Sequence, residues 1–292
     1  MKNFKKLALM GLTAVMSLSL LAACGGGNSG SAETPANNTE TPSVENTETP
    51  AASGEFTTVE AGKLIMSTNA QFPPYEMVGD GEGYEGTGYE GIDVEIAYAI
   101  AQKLGLELVV DNMGFDAALQ AVQTGKSDIV MAGVTVTDDR LEVMDFSDTY
   151  ANGIQVVIVP ENSDIATIDD LEGKLIGCQM GTTGYIYCSD TPENGGYGED
   201  AVIPYDDGAA AIQALMNGQV DCVVIDNAPA QEYVKANPGL KILDTEFANE
   251  NYAIGFAKGN TALKDAVNTA LTELIEDGTV QSIIDKYIPA EG

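Results

Sequence analysis

The sequence has no histidine, and of its 13 basic residues only Arg140 is an arginine. Without histidine, the chain lacks the side chain that most often transfers protons or binds metals near neutral pH. Its 45 acidic residues give a formal net charge of −32, which opposes binding to nucleic-acid phosphates and to anionic membrane surfaces. These absences argue against imidazole-based catalysis and nucleic-acid binding, and they single out Arg140.

Cysteine is also scarce, with four residues and no CxxC pair. Apart from Cys24, the cysteines are Cys178, Cys188 and Cys222, so at least one of these three is unpaired within the chain. Cys178 and Cys222 lie in apolar, strand-like segments, which favours small buried thiols. We expect no metal ion and no cofactor.

The only long apolar run before the folded body, residues 7–20, is too short for a comfortable membrane span. Lysines precede this run and small residues follow it, so residues 1–23 are predicted to be a secretory signal peptide. The following Cys24 completes a Leu-Ala-Ala-Cys sequence that resembles the lipobox of bacterial lipoproteins, in which this cysteine becomes lipid-modified. An ordinary signal peptide with a chance cysteine is the alternative.

Residues 24–55 contain almost nothing apolar, and the sequence Asn-Thr-Glu-Thr-Pro occurs twice, at 38–42 and 46–50. Such a composition cannot bury enough surface to offset its ordering entropy. We therefore predict a flexible, lipidated tether that holds a globular body at the outer face of the membrane, with Cys24 as the sole anchor.

The remaining body alternates short apolar strands with helices. Strands are predicted at 63–67, 106–110 and 128–132, and helices at 92–104 and 115–124. This alternation is typical of a parallel-rich sheet flanked by helices, an α/β fold.

One helix–turn–strand segment recurs, because residues 118–133 match residues 211–226 without a gap. We predict one α/β lobe around each copy. Gly133 and Asp226 occupy equivalent positions at the carboxyl ends of their strands, where open α/β sheets bind ligands. If the lobes face each other, both residues line one cleft. Arg140 then reaches this cleft from the loop and short helix that follow the first of these strands.

Two glycine-containing motifs resemble nucleotide-binding sequences. Residues 125–127 read Gly-Lys-Ser, but the earlier glycine that a P-loop requires is Gln120. Residues 86–91 match GxGxxG, yet the preceding strand ends near Ser67, and several acidic residues would repel a pyrophosphate. We expect a glycine-rich surface hairpin or loop at 86–91.

A cleft with a fork-shaped cation and a buried carboxylate complements a zwitterion. Arg140 can hold a carboxylate through two parallel hydrogen bonds, and Asp226 can hold an ammonium group. The turn at 181–184, Gly-Thr-Thr-Gly, follows a predicted strand and opens a short helix, whose N–H groups can accept an anion. Thr135 adds a hydroxyl group. Phe72 and Phe115 could sandwich the aliphatic part of a ligand side chain.

Six motifs together resemble the polar-amino-acid group of extracellular solute-binding proteins, which deliver amino acids to ABC importers. They are TNAQFPPYE (68–76), GIDVEIA (91–97), GVTVTDDR (133–140), MDFSDTY (144–150), GTTG (181–184) and DCVVID (221–226). The resemblance implies a two-lobed periplasmic-binding-protein-like (Venus-flytrap) fold with two hinge crossings. It also implies a monomer that is not an enzyme, whose partners are an amino acid and the membrane subunits of an ABC transporter.

The resemblance assigns the ligand carboxylate to Arg140 and the main chain of Thr183. It assigns the ammonium group to Gly133, Thr135 and Asp226. The predicted ligand-binding residues are Asn69, Phe72, Phe115, Gly133, Thr135, Arg140, Gln179, Thr182, Thr183 and Asp226. Phe72 and Phe115 would stack on the ligand side chain, whereas Asn69, often aspartate in relatives, and Gln179 bear on the identity of the ligand.

The predicted domain bounds are 56–152 with 246–292 for lobe 1 and 153–245 for lobe 2. Hinge crossings are expected near 152–154 and 243–247. Because no second cation accompanies Arg140 in the predicted cleft segments, we expect a neutral polar or cationic ligand side chain.

Several alternatives stay open on the sequence alone. Arg140 could pair with neighbouring acids on a surface turn, Asp226 could serve only as a helix N-cap, and Phe72 and Phe115 could belong to the core. A cyclohexadienyl dehydratase resembles this fold, but no carboxylate stands out as a general acid. A sensor ectodomain is a third possibility, which the lack of a signalling module in this sequence disfavours.

Overall fold

The computed structural model describes residues 56–289. The predicted signal peptide (1–23), Cys24 and the tether (24–55) lie outside the described residues. The strands are β1 (Lys63–Thr68), β2 (Gln71–Phe72), β3 (Glu76–Val78), β4 (Tyr89–Glu90), β5 (Glu107–Asn112), β6 (Ile129–Val130), β7 (Met144–Pro160), β8 (Ile176–Gln179), β9 (Val202–Tyr205), β10 (Cys222–Asp226), β11 (Leu240–Ile242) and β12 (Ala248–Ala257). The helices are α1 (Ile92–Leu104), α2 (Phe115–Gln123), α3 (Asp138–Val143), α4 (Thr183–Ser189), α5 (Gly208–Met216), α6 (Asn227–Ala236), α7 (Thr261–Glu276) and α8 (Thr279–Tyr287).

One nine-stranded sheet runs through the described body in the order β5-β1-β6-β12-β7-β10-β8-β9, with β11 paired to β7. The first three strands are parallel to one another, as are the last three. We call the part around β5-β1-β6 the first lobe and the part around β10-β8-β9 the second lobe. The α/β, two-lobed architecture predicted from the sequence is confirmed.

The sequence located α1 at both ends, and the reason is local. Asp93 and Glu95 lie in its first turn and Lys103 in its last, so the charges complement the helix dipole. Gly105 ends the helix in the left-handed conformation. The helix packs on the first lobe through a fully buried face, and α7 and α8 cover it.

The internal repeat folds as predicted in both copies. Helix α2 leads to β6, and α5 leads to β10. Strand β6 is shorter than the predicted 128–132. Just before β6, the Asp128 carboxylate accepts hydrogen bonds from the main-chain N–H groups of Val59 and Ile65, both at 2.7 Å. On the side of β6 that faces β12, only Val130 is paired, with Gly255.

The centre of the sheet is antiparallel, which the alternating pattern did not predict. Strand β7 is 17 residues long and pairs with β12 from Met144↔Ala257 to Gln155↔Ala248. Both predicted hinge crossings fall on this ribbon or at its edge, because 152–154 lies within β7 and 243–247 leads into β12. The predicted lobe bounds and the hinge itself stay predictions.

The glycine-rich motif at 86–91 lies in a hairpin, because it contains β4, which pairs antiparallel with β3. The predicted surface hairpin is therefore confirmed, and the dinucleotide alternative has no support here. The three described cysteines, Cys178, Cys188 and Cys222, are all buried and free. Among residues 56–289, no helix has both the length and the apolar character that a membrane crossing needs.

Candidate functional site

All ten residues predicted to bind ligand line one cleft between the two lobes. The cleft is lined by Asn69, Phe72, Glu76, Phe115, Ala132, Gly133, Thr135, Arg140, Gln179, Thr182, Thr183 and Asp226. The residues come from loops at the carboxyl ends of strands in both lobes, as ligand sites do in open α/β sheets.

Arg140 is fixed by main-chain carbonyls. It lies in α3, whose N-cap residue Thr137 accepts a hydrogen bond from the Arg140 N–H at 3.2 Å. One terminal guanidinium nitrogen donates to the Thr135 carbonyl at 2.9 Å and the other to the Gly181 carbonyl at 3.1 Å. These bonds use two of the five guanidinium N–H groups, so donors remain for an anion.

The surface alternative for Arg140 is wrong, because its side chain is only 8% exposed. The acids beside it on α3 point outward and are exposed. Within residues 56–289, Arg140 forms no salt bridge with any carboxylate. Burial lowers the pKa of the guanidinium, and the negative charge of Glu250 is the main effect opposing that shift.

Two aromatic side chains form walls of the cleft. The Phe115 ring centroid lies 5.5 Å from the Arg140 guanidinium carbon, within cation–π distance. Phe72 stacks on Tyr75 with ring centroids 5.8 Å apart. A Cβ on Gly133 would lie 2.8 Å from Phe72 Cε1, and the residue has φ +55°, so this position favours glycine twice over. Both phenylalanines are nearly buried, and they belong to the core and to the cleft wall at once.

Asp226 ends β10 and stands at the N-cap position of α6, but its side chain makes no capping hydrogen bond. The carboxylate instead accepts hydrogen bonds from Gln155 Nε2 at 2.8 Å and from the Tyr252 hydroxyl. The N-cap alternative therefore does not describe the side chain. Burial raises the pKa of Asp226 well above its usual value, and the nearby charge of Glu250 adds to the rise.

The turn at 181–184 brings the second lobe against the first. A Cβ on Gly181, whose φ is +77°, would lie 1.8 Å from Asp116 Oδ1 in α2. Thr182 caps the seven-residue α4, accepting from the Tyr185 N–H at 3.4 Å and donating to the Gln179 carbonyl at 2.8 Å. Thr182 thus shapes the turn through its side chain.

A buried amide pair spans the cleft between the two lobes. Gln179 Nε2 donates to Asn69 Oδ1 at 3.0 Å, and Asn69 Nδ2 donates to the Met113 carbonyl at 2.9 Å. The two lobes therefore touch directly through side chains that also face the cleft. The sequence suggested that Asn69 and Gln179 share one site, and the structure brings them together.

Two buried carboxyl groups at this site, those of Glu76 and Asp93, are not among the ten predicted ligand-binding residues. Glu76 is fully buried, and among the described residues its carboxyl oxygens have no donor partner, because the neighbouring group is the Asp93 carboxyl. Burial, followed by the charge of Asp93, raises the pKa of Glu76 well above its usual value. Glu76 and Asp93 lie among several apolar residues, in TNAQFPPYE and GIDVEIA, respectively. An acidic residue in such a segment is the sequence signal that points to a buried carboxyl group.

Asp93 lies behind Glu76 on α1. Its carboxylate accepts from the Gly133 N–H at 2.9 Å and from the Tyr150 hydroxyl at 2.8 Å. Burial raises the pKa of Asp93 to about 6, although these hydrogen bonds oppose the rise. Asp93 thus fixes the main chain of Gly133, a predicted ligand-binding residue.

The profile of the bacterial extracellular solute-binding proteins, family 3, matches residues 64–290. The chain belongs to this family. It is 34% identical over 236 residues to a probable histidine-binding protein of Neisseria gonorrhoeae, covering 79% of this chain and 85% of that protein. It is 32% identical over 235 residues to the L-cystine-binding protein TcyJ of Escherichia coli K12, covering 80% and 85%.

Solved structures share the fold. The arginine-, lysine-, histidine-binding protein ArtJ of Geobacillus stearothermophilus superposes with a TM-score of 0.70 at 33% identity, covering 79% of this chain and 96% of that chain. These relatives are named as amino-acid-binding proteins and not as enzymes. This chain is thus an extracellular solute-binding protein whose relatives bind amino acids.

Proposed function

We propose that this protein binds a free L-amino acid outside the cell and delivers it to the membrane subunits of an ABC importer. The observation that carries the proposal is the composition of the cleft wall. One buried cation, Arg140, and two buried carboxyl groups, those of Glu76 and Asp226, line the same cavity. A zwitterion brings one charge of each sign to such a wall.

Within this proposal, Arg140 binds the ligand carboxylate through its remaining donors, together with the main chain of Thr183. The ammonium group binds Asp226, the Thr135 hydroxyl and the Gly133 carbonyl. Phe72 and Phe115 hold the stem of the side chain. Support comes from the placement of all these groups around one cavity and from the amino-acid specificity of the named relatives.

For the ligand side chain, we propose a cationic or neutral polar group. No lysine lines the described cleft, and Arg140 is its sole cationic side chain. An acidic side chain would therefore be desolvated without a partner, which is costly. The carboxyl of Glu76 is buried beside that of Asp93 and has no donor partner in the described chain. It would gain most from a guanidinium or ammonium group, because charge-assisted hydrogen bonds are the strongest available.

We also propose how the protein is attached to the membrane. Lipid on Cys24 would hold a monomer at the outer face through the 24–55 tether. Closure of the lobes on the ligand would present the loaded form to the importer.

A panel of the twenty amino acids, screened by thermal shift and then by titration calorimetry, tests this function. Arginine, lysine, histidine, glutamine and serine are the first probes, and at least one should bind with a dissociation constant on the order of micromolar or below, about 8 kcal/mol. Mass spectrometry of ligand released from freshly purified protein identifies the natural one. Tighter binding of glutamate than of all five probes would contradict the proposed side-chain class.

A further inference from the structure

Four polar side chains form a strip across the antiparallel centre of the sheet, behind the cleft. They are Asp226 on β10, Gln155 on β7, and Glu250 and Tyr252 on β12. The registers explain their meeting, since Asp226 pairs with Gln155, and Glu250 pairs with Gly153, two residues before Gln155. Side chains two apart on a strand share a face, so all four project to the same side.

Glu250 connects this strip to the cleft wall. Its Oε2 accepts from the Thr135 hydroxyl at 3.0 Å and from Gln155 Nε2 at 3.0 Å. A threonine hydroxyl has one hydrogen to donate, and Thr135 donates it in the hydrogen bond to Glu250. The Thr135 oxygen therefore keeps only lone pairs for the cleft, which suits it to accept a hydrogen bond from an ammonium group.

Glu250 and Asp226 are held close to each other by one amide. Gln155 Nε2 donates to Glu250 Oε2 at 3.0 Å and to Asp226 Oδ2 at 2.8 Å. The two acids are only 5% and 7% exposed. Two carboxyl groups that share a poorly hydrated site disfavour simultaneous ionisation.

Few charges nearby can offset this pair. Arg140 from α3 is the cation that acts on both. The hydroxyls of Tyr187 from α4 and Tyr252 from β12 face Glu250 and Asp226, respectively. The remaining titratable groups of the surroundings are neutral or acidic, namely Tyr75, Glu76, Asp93 and Asp116.

We propose that Glu250 is a positioning residue whose buried charge keeps a proton on Asp226 until the ammonium group of an amino acid binds, so that binding releases this proton. The inference rests on the proposed function and adds its coupling to pH. The exchange balances, because one proton leaves the Asp226 carboxyl to solvent as one ammonium charge takes its place.

The sign of the pH dependence follows from this exchange. Below the pKa of Asp226 in the ligand-free protein, the ligand must displace a proton, so affinity falls as the pH falls. Linkage of one proton changes the dissociation constant by up to about tenfold per pH unit. Above that pKa, the affinity reaches a plateau.

Titration calorimetry of wild-type protein with L-arginine, in buffers of different ionisation enthalpy between about pH 5 and about pH 8, counts the protons released. We expect on the order of one proton per arginine wherever the pH lies below the pKa of Asp226 in the ligand-free protein. Glu250→Gln keeps the size and the oxygen acceptor of the side chain but removes its charge. Because burial of Asp226 remains, it should lower the proton count at a given pH and shift the fall in affinity to lower pH.

Glu246→Gln is the matched control, because Glu246 is exposed on the segment leading into the same strand. It should retain the wild-type proton count. A parallel Glu76→Gln titration separates any proton that the arginine side chain displaces at Glu76. An unchanged proton count in Glu250→Gln, or wild-type binding without proton release, would overturn this inference and leave the proposed function intact. Failure of every amino acid to bind would overturn both.

Discussion

Arg140 is held by two main-chain carbonyls, and this choice of partners keeps its positive charge available. A neighbouring carboxylate would neutralise it, whereas the carbonyls of Thr135 and Gly181 orient the guanidinium plane without cancelling the charge. The same geometry makes lysine a poor replacement, because an ammonium group is a point charge without the planar fork.

We therefore expect Arg140→Lys and Arg140→Ala to lower amino-acid affinity strongly. Loss of one partner of a buried charge pair costs roughly 2–5 kcal/mol, or about 30-fold to several-thousand-fold in affinity. Calorimetry with the tightest ligand of the panel measures the loss. Lys235→Ala, at an exposed residue of α6, is the control and should bind as wild type. Near-unchanged affinity in Arg140→Lys would refute the bidentate role.

Glu76 gives a prediction about selectivity. Glu76→Gln removes a charge that a cationic ligand would complement, so arginine or lysine affinity should fall by roughly 10- to 150-fold, equivalent to about 1.5–3 kcal/mol. Affinity for glutamine or serine should change much less. Competition calorimetry between one cationic and one neutral ligand measures the ratio, and the exposed Glu82→Gln serves as the control. Equal losses for both ligand classes would show that Glu76 does not recognise the side chain.

Asp93 links the same cluster to stability. Its pKa is raised by burial to about 6 from 3.8, so the folded state resists ionisation that the unfolded chain undergoes at lower pH. Its stabilising effect is therefore full below about pH 4 and is lost as the pH rises through about 6. As the pH rises from about 4 to about 6, the free energy of unfolding of Asp93→Asn should therefore increase by about 3 kcal/mol relative to that of the wild type. Urea unfolding at several pH values measures this difference, and a pH-independent difference would contradict the assignment.

Among the elements, the β8–α4 turn has the tightest contact with the opposite lobe. Gly181→Ala places a Cβ against Asp116, and its backbone has φ +77°. Gly173 has nearly the same backbone, φ +76°, but nothing within 4 Å. Both alanine variants should lose about 1–2 kcal/mol of stability from the left-handed conformation.

Only Gly181→Ala should also weaken ligand binding, because its methyl group separates the two lobes where they meet. Thermal unfolding of ligand-free protein and calorimetry of the same samples distinguish the two effects. Equal affinities in Gly181→Ala and Gly173→Ala would show that this contact does not contribute to closure.

The elements also show how far the sequence can be interpreted. Local signals suffice for α1, where charge placement and a terminal glycine mark the ends, and for the repeat, where two copies support each other. The β7–β12 ribbon depends on pairing between residues about a hundred positions apart in the chain, which no local pattern encodes. Glu250 and Gln155 were missed for that reason, since only strand register places them behind Asp226.

At the scale of the whole molecule, the proposed lipid anchor at Cys24 can be tested apart from the binding body. Within the proposed function, lipid on Cys24 supplies the membrane attachment. Cys24→Ser should leave the membrane fraction as soluble or uncleaved protein, as cell fractionation and intact mass would show. A processed Cys24→Ser protein that still sediments with lipid would refute the lipoprotein prediction. Ser43→Ala, within the tether, is the control.

The paired strands β7 and β12 have a mechanical consequence. A ladder of main-chain hydrogen bonds resists sliding of one strand along the other, because sliding by one residue exchanges the faces of every side chain. It yields more easily to bending and torsion, and the register shifts near Ala253 interrupt the ladder where such compliance would concentrate. A hinge built in this way would resist translation of one lobe along the other but would permit rotation of the lobes about the paired strands. Repeated opening and closing would then return the groups on either side of the cleft to the same alignment each time.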